Sequence, residues 1–338
     1  MRHVKFVAVA LAAVAAFVTS TNAHAEVKER KIKIGIGLTE DHPQGLAVKK
    51  FAEIVSAKSG GKIKIKLYAG GALGNDLTMV SALEGGTQEM AIPDTAIMVG
   101  QFREFGALNF PFLFNNEKEA DALLDGPIGD RLLAKLPEKG LIGLAFWENG
   151  YRQVTNSKRP ITKVEDYEGL KLRVMQNPLF IDSYKSLGAN AVPMAYTELF
   201  TAMETKTVDG QENPIPTVQT AKFNEVQKYL TLSRQSYSVW AVLVSKKLWD
   251  TLSPEEQKIL KDAAVESRDY ERKTIRAASA KALTELKSAG MKVNQLPASE
   301  EARLREKAQP VIAKYTKEFG EPLVKDMYAE LQKIRKGQ

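Results

Sequence analysis

The 338-residue chain carries a net charge of +7, contains no cysteine and has three histidines. The absence of cysteine excludes a thiol nucleophile and a disulfide framework, and it disfavours the usual zinc and copper sites. Acidic and basic residues are interspersed without a dense basic block, so we expect no nucleic-acid partner.

The N-terminal 25 residues have the organisation of a secretory signal peptide. Arg2 and Lys5 precede an apolar run at 6–18, and the tripeptide Ala-His-Ala at 23–25 supplies a cleavage pattern. The apolar run is too short to span a bilayer. We therefore expect cleavage after Ala25 and export of a soluble protein to the periplasm.

Elements are predicted to alternate between strand and helix after the leader. Residues 31–38 are apolar at every second position, which predicts a strand, and a helix is predicted over 45–59. Strands separated by helices predict an α/β unit with a largely parallel sheet. The other elements predicted for this unit are strands at 63–67, 90–93 and 141–147 and helices at 76–84, 117–124 and 129–136.

The alternation restarts at residue 170 and predicts a second α/β unit of similar size. Two such units without a flexible linker predict a cleft between them. Ligands of such folds bind beyond the carboxyl ends of strands or between domains. The predicted strands of this unit are 170–174, 191–193, 207–211, 229–232 and 239–244, and the predicted helices are 177–187, 196–205 and 216–223.

A long helix is predicted after the second unit. Ser253 and Pro254 followed by Glu256 form the pattern of a capping box, and residues 255–289 contain neither Gly nor Pro. An unbroken helix of this length would span roughly 52 Å, more than one lobe, so it should either kink or run across both lobes. We assign residues 26–148 and 239–278 to lobe I and residues 149–238 and 279–338 to lobe II, with further helices at 299–319 and 321–336.

The mature chain offers little for catalysis. Its single histidine, His42, is the only residue around which a Ser-His-Asp triad could be built, and no G-x-S-x-G motif accompanies it. Gly35 and Gly37 lack the third glycine of a dinucleotide fingerprint, and the glycines at 70–74 lack the Lys-Ser/Thr of a phosphate loop. We expect no catalytic residue, no metal and no cofactor.

Arg173 is the residue whose position suggests ligand chemistry. It alternates with apolar neighbours in the predicted strand 170–174, so its side chain lies on the opposite face. A guanidinium at a strand end that faces a cleft can hold a carboxylate through two parallel hydrogen bonds. The alternative is a solvated or ion-paired surface arginine, since charged residues are mostly exposed.

Several motifs in this half of the chain resemble those of the periplasmic substrate-binding proteins of TRAP transporters, the dicarboxylate-receptor type. The likeness extends over essentially the whole mature chain, and the order and spacing of the motifs match that family. The motifs are NGYRQ at 149–153 with TNSKRP at 155–160, GLKLRV at 169–174, and PMAYTE at 193–198 with VDGQENP at 208–214.

The resemblance implies two α/β lobes joined by a hinge, with the long helix lying across both. It assigns Arg173 to the ligand carboxylate, Arg152 to a second cationic contact and Asn213 to a position beside the same carboxylate. From the residues alone, Asn213 could instead shape a turn, and Asp94 could pair with a lysine. The other positions implied to line the cleft are Asp94, Thr95, His42, Tyr196, Trp240 and Asn149.

The predicted function is a periplasmic receptor for a small organic acid anion, which it delivers to the permease subunits of a TRAP-type transporter. The candidate ligands are a sugar acid such as a hexuronate, or a C4-dicarboxylate, and the many hydroxyl and amide side chains favour the sugar acid. Two alternatives are a lyase-like enzyme with Asp94 or Glu212 as its base, and a ligand-sensing partner of a membrane sensor kinase. We expect the receptor to be a monomer.

Overall fold

A computed structural model describes residues 27–337, so the predicted signal peptide and its cleavage site lie outside the described residues. Ten strands of the described chain join in one sheet. They are β1 (Arg30–Gly35), β2 (Ile63–Tyr68), β3 (Met90–Ala91), β4 (Leu141–Asn156), β5 (Lys171–Val174), β6 (Asn190–Pro193), β7 (Gly210–Pro214), β8 (Tyr229–Leu232), β9 (Tyr237–Ser245) and β10 (Lys292–Gln295).

The sheet has two halves, and β4 belongs to both. The strand order is β2-β1-β3-β9-β4-β7-β5-β6, with β8 also paired to β4 and β10 paired to β8. Residues 141–151 of β4 pair with β9, and residues 152–156 pair with β7. The register slips between Glu148 and Gly150, where Gly150 has a φ of 100°, just before the strand changes partner. This part of β4 is therefore the natural hinge between two α/β lobes.

The sheet is mixed. The alternation of strands and helices had predicted a largely parallel sheet, and that prediction is wrong. Strands β1, β2 and β3 are parallel to one another, but β9 is antiparallel to both β3 and β4. The reason is the return of the chain, because β9 comes back from the second half of the sheet and enters the first half in the opposite direction.

Eleven α-helices cover the two halves of the described sheet. They bury four groups of apolar side chains, of which those around Phe51 and Phe105 lie in the first half and those around Leu172 and Phe223 lie in the second. The helices are α1 (Pro43–Lys58), α2 (Asp76–Gly85), α3 (Glu117–Leu124), α4 (Pro127–Leu133), α5 (Pro178–Lys185), α6 (Leu199–Glu204), α7 (Ile215–Thr220), α8 (Lys246–Trp249), α9 (Pro254–Ser288), α10 (Ala298–Phe319) and α11 (Glu321–Lys336).

Helix α9 is unbroken over 35 residues and contacts both halves. Its start is the predicted capping box, in which Ser253 Oγ accepts from the Glu256 amide at 3.2 Å and Glu256 Oε2 accepts from the Ser253 amide at 2.8 Å. Leu260 packs in the core of the first half, whereas Leu286 packs in that of the second. The sequence left two alternatives, a kinked helix or a helix that crosses both lobes. The structure shows the second, because the helix is unbroken and runs across both lobes.

The last two helices also join the halves. Leu304 of α10 lies in the core of the second half, and Phe319 at its end lies in the core of the first. Helix α11 packs on α3 and α4, where Arg335 Nη2 donates to Glu119 Oε2 at 2.9 Å. The apolar face of α11 thus covers the first half, although the sequence places residues 279–338 in lobe II. None of the helices in residues 27–337 is long and apolar enough to cross a bilayer.

Candidate ligand-binding site

A pocket lies between the two halves of the sheet. It opens beyond the carboxyl ends of β1, β3 and β5, which is where the sequence predicted a ligand. Gly37, Leu38, Gln44, Asp76, Ile92 and Asp94 line it from the first half, Arg173, Met175, Tyr196, Asn213 and Thr217 from the second, and Asn149, Arg152 and Trp240 from the strands between.

Arg173 lies in the pocket wall with 2% of its surface exposed, so the alternative of a solvated surface arginine is wrong. Leu172 and Val174 point into the core of the second half, and Arg173 points the other way. Its Nε and Nη2 donate to the Met194 carbonyl at 2.9 and 2.7 Å. These bonds fix one edge of the guanidinium and leave the N–H groups of the Nη1–Nη2 edge for a guest.

The charge of Arg173 has no ion-pair partner among the described acidic residues. Burial lowers the pKa of Arg173 to about 10, while the nearby Glu212 carboxylate opposes this effect. The side chain therefore remains a cation at neutral pH. A buried cation without a counterion is costly, and a ligand carboxylate would supply that counterion.

Arg152 is held inside the protein in a different way. Its Nε and Nη2 donate to both carboxylate oxygens of Glu212, and Nη2 also donates to the Glu212 carbonyl at 2.6 Å. Further bonds reach Ser238 Oγ and Asn213 Oδ1, each at 3.1 Å. The charge of Arg152 is thus already neutralised by Glu212. Its direct contact with a ligand stays a prediction, although it does line the pocket.

Asp94 pairs with no lysine in the described chain. Its Oδ1 accepts from the Ala96 amide at 2.9 Å, and its Oδ2 accepts from Asn149 Nδ2 at 3.0 Å and from Ser238 Oγ at 2.8 Å. Arg152 Nη1 lies 3.9 Å from the same oxygen. The carboxylate is therefore occupied as an acceptor, and it holds Asn149 in place at the pocket wall.

His42 and Thr95 are buried and are not among the residues that line this pocket, so their contact with a ligand stays a prediction. His42 is buried at the start of α1, where Nδ1 accepts from the Gln44 amide at 3.0 Å and Nε2 lies 3.2 Å from Thr217 Oγ1. Burial lowers the pKa of His42 to about 3, so the ring is neutral. Its edge packs on Trp240, with ring centroids 5.6 Å apart. His42 thus positions two lining residues, Gln44 and Thr217.

The structure places Tyr196, Trp240, Asn213 and Asn149 in the lining, as the sequence had them. The amide of Asn213 is engaged inside the protein, because Nδ2 donates to Gln211 Oε1 and Oδ1 accepts from Arg152. Asn213 thus helps to hold Arg152 in place. Its Nδ2 carries a second N–H group, which a carboxylate in the pocket would accept.

Asp76 is a lining residue that sequence reasoning missed. It follows the cap Asn75 in the first turn of α2, and an acid in that position is expected for helix stability alone. Its Oδ2 accepts from the Asp94 amide at 3.0 Å. Burial raises the pKa of Asp76 to about 6 and the negative charge of Asp94 adds to the rise, while that hydrogen bond and Arg173 oppose it.

Gln44 was missed for a similar reason. It lies in the first turn of α1, two residues after His42, and nothing in the local sequence distinguishes it from a solvent-facing glutamine. The tight turn that precedes it brings the side chain to Ile92, whose carbonyl accepts from Nε2 at 3.0 Å. This contact could not be predicted from neighbouring residues, because it joins α1 to the segment after β3, which is distant in sequence.

Comparison with known proteins gives the family. Residues 34–318 match the family model described as bacterial extracellular solute-binding protein, family 7. The chain belongs to this family. Solved members of the same fold include periplasmic solute-binding proteins of TRAP transporters.

Three family 7 relatives show what similar chains bind. The sugar acid binding protein DctPAm from Advenella mimigardefordensis strain DPN7T, solved with galactonate, is 47% identical with a TM-score of 0.89, over 91% of this chain and 99% of that one. The 2,3-diketo-L-gulonate-binding periplasmic protein YiaO of Escherichia coli strain K12 is 39% identical over 283 residues, 84% of this chain and 85% of its own. The C4-dicarboxylate-binding periplasmic protein DctP of Rhodobacter capsulatus is 34% identical over 274 residues, 80% and 82% of the two chains.

Proposed function

We propose that this family 7 protein is a periplasmic receptor that captures one small organic acid anion with Arg173 and passes it unchanged to a TRAP permease. The observation that carries the proposal is the guanidinium of Arg173, which is buried in the cleft, charged at neutral pH and fixed by Met194 with one edge free. Two parallel charge-assisted hydrogen bonds to a carboxylate complete such an arrangement.

Closure of the two lobes around the anion follows from the position of the pocket. Its walls come from both halves of the sheet, so a guest bound to Arg173 is within reach of Gln44, Asp76 and Asp94 across the cleft. Closure excludes water, and the lower local dielectric strengthens the pair between Arg173 and the ligand. Binding and closure are therefore one event.

The proposal includes no chemical reaction. Of the two acids that could serve as the base of a lyase, Glu212 is fully buried against Arg152 and does not line the pocket. Asp94 already accepts three hydrogen bonds. Mass spectrometry of an organic acid recovered after incubation tests this part, and any product of altered mass contradicts it.

A thermal-shift screen over organic acids tests the receptor function itself. A ligand at one hundred times its Kd stabilises the folded state by about 2.7 kcal/mol, because it binds only that state. We expect sugar acids or C4-dicarboxylates to raise the Tm and uncharged sugars to leave it unchanged. If no organic acid in the screen raises the Tm, the proposal is wrong.

Three further predictions belong to the same proposal. The lobe boundary predicted between residues 148 and 149 is supported by the change of partner along β4, whereas the packing of α11 on the first half does not support the assignment of residues 321–336 to lobe II. Cleavage after Ala25 is tested by the N-terminal sequence of the secreted protein. The monomeric state is tested by light scattering, where a mass near twice that of one chain contradicts it.

Asp76 makes ligand affinity depend on pH. Its pKa is about 6, and a bound anion would raise this pKa further because two negative charges repel. Binding is therefore accompanied by proton uptake, and affinity for an anion falls as the pH rises through 6. The fall is about tenfold for each unit by which the ligand raises the pKa of Asp76.

Calorimetric titration from pH 5 to pH 8 measures this dependence. The Asp76→Asn variant carries no charge at this position at any pH, so its affinity should be nearly flat over the range. A matched control is Asp262→Asn, which removes an exposed acid on α9 and should keep the slope of the unmodified protein. Affinity that rises with pH contradicts the prediction.

A further inference from the structure

Two buried amide side chains in the pocket wall each leave one oxygen without a hydrogen-bond partner. Gln44 is 1% exposed, and its Oε1 has no partner among the described residues. Asn149 is 6% exposed, and its Oδ1 is likewise unpartnered. Both residues line the pocket around Arg173, and they lie on different elements, α1 and β4. Buried polar atoms in native proteins are rarely left this way without a ligand or water to satisfy them.

The orientation of each amide is fixed by the partner of its NH₂ group. Gln44 Nε2 donates to the Ile92 carbonyl at 3.0 Å, and Asn149 Nδ2 donates to Asp94 Oδ2 at 3.0 Å. Rotating either amide group by half a turn would place its oxygen against the oxygen that now accepts from its nitrogen. The orientation of each amide is therefore fixed. The oxygen of each amide, which has no partner in the protein, therefore remains available to accept a hydrogen bond from a guest.

Arg173 is the cationic donor of the pocket, and several other lining groups present acceptors. Arg173 offers the free edge of its guanidinium to a carboxylate, while Gln44 Oε1, Asn149 Oδ1 and the Asp76 carboxylate offer oxygens. A hydroxyl group can donate to such oxygens. A second carboxylate cannot donate, and it would also be repelled by the charge of Asp76.

We propose that Gln44 and Asn149 determine specificity by accepting hydrogen bonds from ligand hydroxyls, so that the receptor selects polyhydroxylated monocarboxylates over C4-dicarboxylates. This inference rests on the proposed function and adds the class of ligand. A site built to bond a hydroxyl discriminates strongly against an analogue that lacks it, because the oxygen of the site then stays buried and unpaired.

Calorimetry with galactonate and succinate on the unmodified protein is the first arm of the test. The expected result is a galactonate Kd at least about tenfold below that of succinate, which corresponds to about 1.4 kcal/mol. Tighter binding of succinate overturns this inference and leaves the proposed function intact. Failure to bind any organic acid overturns the proposed function with it.

The second arm uses Gln44→Met, which keeps the length of the side chain and removes both the acceptor and the donor to the Ile92 carbonyl. We expect its galactonate Kd to rise about tenfold and its succinate Kd to stay the same or fall. The matched control is Gln101→Met, because Gln101 Oε1 is also buried and unpartnered but lies outside the pocket. The control should bind both acids like the unmodified protein.

A loss that is equal for galactonate and succinate in Gln44→Met overturns the proposal, since it would show a structural role for the side chain. The thermal unfolding of both methionine variants reports whether they fold. If Gln44→Met does not fold, comparison of galactonate with hexanoate on the unmodified protein decides the question. Both ligands carry one carboxylate on a six-carbon chain, and equal Kd values for them overturn the role of hydroxyl recognition.

Discussion

Replacing Arg173 by alanine is expected to weaken the binding of any carboxylate ligand by about a thousandfold. The guanidinium is the only described cation in the pocket wall without an acidic partner, and Met194 holds it in position. Loss of one partner of a buried, hydrogen-bonded charge pair costs roughly 2–5 kcal/mol, much of it from the charge that is left alone. Isothermal titration calorimetry with the best ligand from the thermal screen measures the change.

Two comparisons separate this loss from general damage to the fold. Arg131→Ala removes an exposed arginine that pairs with Asp326, and it should leave the Kd unchanged. Without ligand, Arg173→Ala should unfold at the same temperature as the unmodified protein or a higher one, because it removes an unpaired buried charge. A Kd of Arg173→Ala within about tenfold of that of the unmodified protein would show that the carboxylate is held elsewhere.

Removing the partner of Glu212 is expected to give the largest loss of stability. In Arg152→Met the carboxylate of Glu212 stays buried without its guanidinium, and breaking one side of such a pair costs roughly 3–5 kcal/mol. Denaturant unfolding measures the free energy of unfolding directly. A change below about 1 kcal/mol would contradict the view that Glu212 neutralises Arg152.

A double variant tests the pairing itself. Arg152→Met combined with Glu212→Met removes both charges, so it should recover a large part of the stability lost by the single change. Equal stability of the double variant and Arg152→Met would mean that the loss comes from packing. The two arginines of the pocket are thus expected to behave oppositely, Arg152 as a structural cation and Arg173 as a ligand-binding one.

The order of elements was readable from the sequence because apolar periodicity and capping signals are local. The capping box at Ser253 and the strand around Arg173 follow from a few neighbouring residues. Strand β4 was predicted to end at Trp147, but it continues to Asn156. That continuation is polar, and its burial depends on bonds such as the one from Gln211 Nε2 to Thr155 Oγ1 at 2.9 Å, which no local pattern reveals.

The site was predicted in part for the same reason. Arg173 could be found because its motif resembles that of a known family, whereas its place on a strand face alone left a surface arginine as the alternative. The pairing of Arg152 with Glu212 joins β4 to β7 and could not be read from spacing. Asp76 and Gln44 lie in first turns of helices, where a polar residue is expected in any case. Their role depends on how the two halves approach each other.

The attachment of α9 has a mechanical consequence for the receptor cycle. The helix is anchored in the first half near Leu260 and in the second near Leu286, where Gln219 Nε2 also donates to Glu285 Oε2 at 3.0 Å. A change in the angle between the halves must therefore bend the helix between these anchors or shift one of them. Either response costs elastic energy, so the stiffness of the helix helps to set the balance between the open and closed forms of the receptor.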